Sequence, residues 1–236
     1  MKLSVLVPVY NEERTLAEVV RRVCAFPMAK EIILVDDGSK DHSREILTRL
    51  QEENQRANDP LNQIRIFFQP QNQGKGAALK TALSHATGDI VLVQDADLEY
   101  DPADYPTLIE PIQKGLADVV YGTRFAGGGA HRVFFFWHSM GNRALTLLSN
   151  MLSNLNLSDM EVGYKVFRAE VLRGIELKSR RFGFEPEITM KLAKKGCRFY
   201  EVPISYYGRS YEEGKKITWK DGVAALYYMI RFRFVD

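Results

Sequence analysis

Leu3 to Val9 is an apolar run that Pro8 and Asn11 bring to an end, and beyond it Leu16, Val19, Val20 and Val23 recur at helical spacing. That pattern predicts a strand and then a helix. Glu31 to Val35 predicts a second buried strand, closed by Asp36-Asp37-Gly38-Ser39, with Asp41 capping a helix that carries Ile46, Leu47 and Leu50. The polar stretch Gln51 to Gln63 reads as a loop. Ile64 to Phe68 is a third strand, and Leu79, Ala82, Leu83 and Ala86 mark a helix opening at Gly74-Lys75-Gly76. Ile90 to Gln94 is the fourth strand, Pro102 to Gly115 a helix and Asp118 to Tyr121 a fifth strand. Further on, a helix opens at Phe182 to Glu187 and runs through Leu192 and Ala193, and Phe199 to Val202 is a short strand. Trp219 to Phe234 predicts a last helix with Val223, Leu226, Tyr227 and Ile230 on one face. Short apolar strands alternating with helices predict an α/β fold with a mostly parallel sheet wound on both faces.

In such sheets ligands bind beyond the carboxyl ends of the strands. The chemistry-bearing residues fall there: Glu12 after the first strand, Asp36 and Asp37 after the second, Asn72 and Lys75 after the third, Asp95, Asp97 and Glu99 after the fourth, Arg124 after the fifth. The opposite edge, for instance Phe26 to Lys30, is plainer. Residues two apart on extended backbone face the same way, so Asp95, Asp97 and Glu99 are expected to converge. Three neighbouring carboxylates must protonate or hold a cation, and hard oxygen ligands suit Mg²⁺ or Mn²⁺.

Composition narrows the partners. With 45% hydrophobic residues the 236-residue chain can bury a full core, and a net charge of only +2 leaves no broad electrostatic footprint for nucleic acid. Cys24 and Cys197 stand alone, as reduced thiols in a cytoplasmic protein do. The first residues reach acids too soon for a signal peptide, and no apolar run approaches the roughly 18 to 20 residues that span a bilayer. The expected location is the cytoplasm, with peripheral contact on the cytoplasmic face of the membrane through the aromatic and basic last helix.

Val7-Pro8-Val9-Tyr10-Asn11-Glu12-Glu13, Val35-Asp36-Asp37-Gly38-Ser39, Asn72-Gln73-Gly74-Lys75-Gly76-Ala77-Ala78 and Asp95-Ala96-Asp97-Leu98-Glu99 occur in this order. Together they resemble the inverting GT-A glycosyltransferases of family 2, and within them the dolichol- or polyprenyl-phosphate sugar synthases. The resemblance runs from residue 1 to about residue 217. It implies a single Rossmann-like catalytic domain over 1–236: a nucleotide-sugar-binding half (1–124), an acceptor-side extension with a closing loop (125–217) and a C-terminal amphipathic helix (218–236). It also implies a nucleotide-sugar donor (GDP-mannose or UDP-hexose), Mg²⁺ or Mn²⁺, transfer with inversion, a lipid-phosphate or glycan acceptor, and room for a separate membrane partner protein.

By the same resemblance Pro8, Tyr10, Glu12, Val35 and Asp37 lie beside the nucleoside, and Lys75, Asp95, Ala96, Arg209 and Lys215 beside the diphosphate. Asp97 and Glu99 are the metal ligands, and Arg124 meets an acceptor phosphate with its planar fork. Asp97, Arg124, Asp159 and Glu161 form the catalytic set. Glu187 matches a family acid and is read as structural, and Lys165 and Arg168 as exposed charges. The sequence departs from the mannose synthases at Glu99, where they carry Gln, and at Phe135, where they place a second acceptor-side arginine; only Arg132 or His138 stands nearby. The stretch Ala126 to Trp137 reads equally as a mobile lid, a membrane-facing wedge or the start of a buried helix. Two rival functions are a transferase to a hydroxyl acceptor with Asp159 or Glu161 as base, and a non-catalytic nucleotide-sugar-binding protein.

Overall fold

The computed structural model describes residues 1–126, 133, 135–179, 181, 183–209 and 219–235. Alternating elements build the first half: β1 (Leu3–Val9), α1 (Leu16–Ala25), β2 (Lys30–Asp36), α2 (Ser43–Ala57), β3 (Asn62–Phe68), α3 (Lys75–Ser84), β4 (Ile90–Val93), a 3₁₀ turn (Pro102–Asp104), α4 (Tyr105–Gln113) and β5 (Val119–Thr123). The second half contributes α5 (Phe136–Ser153), β6 (Lys165–Arg168), α6 (Ala169–Leu172), α7 (Phe184–Lys194), β7 (Phe199–Pro203) and α8 (Trp219–Phe234).

The strands form one seven-stranded sheet in the order β3-β2-β1-β4-β6-β5-β7. Every pairing is parallel except those of β6, which runs antiparallel to both β4 and β5. Ile32, Ile33, Leu34 and Val35 are all wholly buried. A strand covered on both faces has no reason to alternate polar and apolar residues, so a continuous apolar run is the form it takes. Burying each such side chain contributes about 1.5–3 kcal/mol, which places these strands in the interior of the sheet.

Three local expectations change. The loop expected over Gln51 to Gln63 is mostly helix: α2 continues to Ala57 and ends where Asn58 turns left-handed at φ 46°. Only Ser43 and Leu47 of α2 are buried, and its far end meets β3 through a polar side chain, Asn54, which bonds the Asn62 carbonyl and the Ile64 N–H, so it leaves no apolar stripe to read. Asp41 stands one residue before the helix's N-cap, and its carboxylate accepts the Ser43 and Glu13 N–H groups at 3.0 Å each. Lys165, expected as an exposed charge, is wholly buried in β6, its ammonium donating to the Met160 and Val162 carbonyls and lying 4.3 Å from the Tyr121 ring centroid. A short strand enclosed by β4 and β5 leaves no path to solvent even for a lysine.

The edge opposite the strand ends is closed structurally. Lys30 donates to the carbonyls of Phe26 (2.5 Å) and Met28 (3.0 Å), satisfying backbone acceptors just past the end of α1. Among the described residues, no helix is long and apolar enough to cross a membrane.

Gly38 makes the turn after β2. It sits at φ 70°, and a Cβ there would come within 2.6 Å of the Asn72 backbone nitrogen. Gly38→Ala is expected to cost about 2 kcal/mol, combining positive-φ strain with overpacking, as a lowered midpoint in urea unfolding.

Candidate active site

The strand ends meet as the sequence predicts, with a different partition of charges. β4 stops at Val93 and the chain turns at Ala96 and Asp97, while Leu98 takes a left-handed φ of 62°. That turn breaks the every-second-residue alternation on which the expected convergence rests. Asp95 is directed to Lys75, whereas Asp97 and Glu99 face Arg209. Among the described residues no group of three His, Cys, Asp or Glu side chains is arranged to hold a metal ion. Leu98, with Asn11 at φ 50°, is one of two strained non-glycine residues flanking the cluster, a cost that surrounding structure must outweigh.

Arg209 is the hub. Its two terminal nitrogens reach the Glu12 carboxylate at 3.1 Å each, and Nη2 also reaches Asp97 Oδ2 at 3.1 Å. Its Nε lies 3.7 Å from Glu99 Oε1, and its backbone N–H donates to the same oxygen at 2.7 Å. Tyr206 donates its hydroxyl to the other Glu99 oxygen at 3.0 Å. Three carboxylates around one guanidinium leave negative charge in excess. Burial, reinforced by Asp95 and Glu99, pushes the Asp97 carboxyl up to about 7. Asp97 and Glu99 thus offer hard oxygen donors with unbalanced charge, which fits Mg²⁺ or Mn²⁺.

Lys75, at the start of α3, ties the two halves together. It pairs with Asp95 (2.8 Å) and with Glu185 (3.0 Å) from the first turn of α7. Burial alone would depress this ammonium, but the two carboxylates outweigh it and hold Lys75 well above the usual lysine range. Gly163 lies directly against Asp95, and a side chain there would collide with the carboxylate and with the Tyr100 ring. Tyr100 in turn accepts the Gly163 N–H at 2.8 Å and stacks on Tyr164.

On the donor side, Asp37 accepts the Gln73 and Gly74 N–H groups at 2.8 and 2.7 Å, so its carboxylate shapes the loop leading into α3. Burial pushes its pKa up despite these bonds. Pro8 and Val35 are register partners in β1 and β2, Val35 fully buried and Pro8 half-buried, as is Tyr10. Ala96 presents its carbonyl to the Thr15 hydroxyl at 2.7 Å. Lys215 lies outside the described residues, as do Arg132 and Phe134.

On the acceptor side, Arg124 forms a two-point pair with the wholly buried Asp159, Nε to Oδ2 at 2.6 Å and Nη2 to Oδ1 at 2.7 Å. Asn142 donates to Oδ1 at 3.2 Å, and the guanidinium lies 5.2 Å from the Tyr206 ring centroid. The edge of Arg124 expected to grip a phosphate is therefore spent on Asp159, and what remains for an acceptor is charge on the remaining edge. Asp159 is occupied in holding that arginine. Glu161 differs: its Oε1 is buried with no hydrogen-bond partner among the described residues, and burial, with the Glu185 charge, pushes its carboxyl up to about 7. Burial also lowers nearby Lys165 to about 8.

Glu187 is structural as expected. Its carboxylate accepts the Lys178 and Ser179 N–H groups and pairs with Lys191. Glu185, Lys165, Tyr206 and Asn142 were not anticipated as site residues. The one local signal was Glu185-Pro186 at a helix start, where an acid ordinarily serves the helix dipole. Val133, Phe135, Phe136 and Trp137 are exposed, Trp137 by 80%, which removes the buried-helix reading of that stretch for these residues.

A mostly parallel sheet with acids after β1, β2 and β4 and basic residues after β3 and β5 is the arrangement of a GT-A glycosyltransferase. The chain belongs to glycosyl transferase family 2, whose family pattern matches residues 4–175. It is 28% identical over 221 residues to an undecaprenyl-phosphate mannosyltransferase of Micrococcus luteus, covering 91% of this chain and 87% of that protein. It is 31% identical over 219 residues to a dolichol-phosphate mannosyltransferase of Pyrococcus furiosus, covering 91% of this chain but only 59% of that protein. The fold matches glucosyl-3-phosphoglycerate synthase of Mycobacterium tuberculosis, crystallised with Mn²⁺, UDP and phosphoglyceric acid, at a TM-score of 0.73 and 19% identity over 100% of this chain and 79% of that one.

A pH dependence follows from Asp97. Its folded carboxyl keeps a proton up to about 7, against an ordinary value of 3.8. Between those values the folded state binds more protons than the unfolded one, so stability falls as pH rises through that window. Metal-free Asp97→Asn is expected to be more stable than the parent above pH 7, by on the order of 1 kcal/mol. Its melting temperature should also depend less on pH between 4 and 7. Added Mn²⁺ should raise the melting temperature of the parent and leave the variant unmoved.

Proposed function

We propose that this chain transfers a hexose from a nucleotide-sugar to the phosphate of a polyprenyl lipid, with inversion at the anomeric carbon. The observation that carries the reading is the bridge made by Tyr206, whose hydroxyl bonds the candidate metal ligand Glu99 while its ring faces Arg124. Donor-side acids and acceptor-side cation are thereby set next to each other on one phenol. In this reading Asp97 and Glu99 hold Mg²⁺ or Mn²⁺, which when bound neutralises charge on the departing diphosphate. Arg209 has the charge to join in the same neutralisation. Arg124, held rigid by Asp159 and Asn142, attracts the acceptor phosphate. A phosphate monoester has its second ionisation near pH 6 and is already anionic at neutral pH, so attack requires no base.

Support for the lipid acceptor comes from the micrococcal and Pyrococcus relatives, each similar over 91% of this chain. Support for the metal comes from the Mn²⁺ and UDP bound in the mycobacterial neighbour. The closing loop, with Lys215, belongs to the diphosphate, and Pro8, Tyr10 and Asp37 to the nucleoside. A lipid acceptor requires the enzyme to work at a membrane surface, on the cytoplasmic face where nucleotide-sugars are available.

A second reading is favoured by one observation. Glu161 combines an unpartnered buried oxygen with a pKa near 7, the properties of a general base for a hydroxyl acceptor.

Asp97→Ala is expected to lower kcat/KM by at least about a hundredfold with the circular dichroism spectrum unchanged; full turnover would remove the metal assignment. Glu161→Gln separates the acceptors. Transfer to polyprenyl phosphate should stay within about threefold, whereas a hydroxyl acceptor dependent on that base would lose roughly 10²–10⁴-fold.

A further inference from the structure

A cleft of about 450 Å³ lies apart from the acidic cluster, between the loop that joins β3 to α3, the segment preceding α7, and α8. Gln71, Asn72 and Gln73 line it from the first of these, Lys178 and Arg181 from the second, Tyr228 and Arg231 from the third. Among the described residues no acidic residue lines it. Arg181 and Arg231 have no carboxylate partner among the described residues, and the Arg181 backbone is fixed to the start of α3 by the Gly76 N–H at 3.2 Å. Guanidinium groups gathered without counter-charge form a site for an anion, and their planar fork matches phosphate oxygens.

The geometry of α8 says which phosphate. With successive residues about 100° apart on a helix, Ala225, Met229 and Phe232 form the buried face. Directly opposite, Val223, Tyr227, Ile230 and Phe234 are exposed by 58, 58, 48 and 71%. Arg231 sits between the two faces, on the side where Tyr228 enters the cleft. α5 packs beside α8 and exposes Phe136, Met140, Leu147 and Met151 by 65, 46, 62 and 73%. Neither 136–153 nor 222–235 contains an acidic residue, while Arg143, Arg231 and Arg233 lie within them. A soluble phosphate compound would account for the cleft and leave two apolar stripes in water. A lipid headgroup accounts for both, because apolar side chains enter the acyl boundary where the arginines reach the phosphate.

We propose that the cleft of Lys178, Arg181 and Arg231 binds the phosphodiester headgroup of an anionic phospholipid and seats α5 and α8 on the membrane surface. The site is distinct from the acceptor position at Arg124 and contains none of the acids or arginines assigned to sugar transfer. Its occupant is a bilayer component and not the molecule that is glycosylated.

The test is co-sedimentation of the full chain with vesicles of pure phosphatidylglycerol and of pure phosphatidylcholine, comparing the parent with Arg181→Glu/Arg231→Glu and Arg181→Gln/Arg231→Gln. The parent should bind phosphatidylglycerol vesicles at least about tenfold more tightly than phosphatidylcholine. The glutamate pair should lose that preference and the glutamine pair most of it. Thermal stabilisation by a UDP- or GDP-sugar, measured on the same variants, should be unchanged, which shows that the nucleotide site and the fold are intact. Equal binding to both lipids, or charge-reversed protein that still prefers phosphatidylglycerol, overturns the proposal. So does stabilisation by inorganic phosphate or glycerol phosphate that the arginine variants abolish while the vesicles stay unbound, since the site then serves a soluble anion.

Discussion

One guanidinium holds the site closed. Arg209 reaches Glu12 from the first strand end and Asp97 and Glu99 from the fourth, and it brings with it the segment that follows β7. Without a cation among them these carboxylates repel one another at close range, in a setting from which water is partly excluded. The compensation is incomplete, as the raised Asp97 carboxyl records. A site built this way is stable enough to fold and still short of positive charge. A divalent ion and a nucleotide's phosphates change that balance together.

A second set of buried charges joins the halves of the molecule. Lys75 on α3 is shared by Asp95 and Glu185, and Glu161 and Lys165 lie within the same electrostatic neighbourhood. Removing one partner from such a group leaves another charge buried and unpaired, which costs far more than a surface pair is worth. The acceptor side is therefore not a loose appendage. α7 brings Glu185 to the donor side as surely as the sheet brings Asp95. Gly163 belongs to this join as well, since only a residue without a side chain fits against Asp95 and the Tyr100 ring.

How far the primary structure can be read depends on whether a feature is local. Strands β1, β2 and β4 appear as unbroken apolar runs because each is covered on both faces, and the acids at their ends appear because the chain must turn there. The Asp97 and Glu99 pair, Arg124 and Arg209 are singled out through the resemblance to family 2, whose ordered motifs also imply the GT-A class. The far end of α2 was invisible for the opposite reason, having no buried stripe to impose a period.

What tertiary structure alone decided is pairing. No local pattern tells that β6 inserts antiparallel between β4 and β5, and that insertion is what buries Lys165. Nor does it tell that Asp159 spends both oxygens on Arg124, or that beyond the turn at Ala96 and Asp97 the carboxylates divide, Asp95 pairing with Lys75 while Asp97 and Glu99 face Arg209. Charges attract according to distance in space, and spacing in sequence sets that distance only while the backbone stays regular. Where the backbone bends, as it does directly after β4, the order of residues names the participants and the fold chooses their partners.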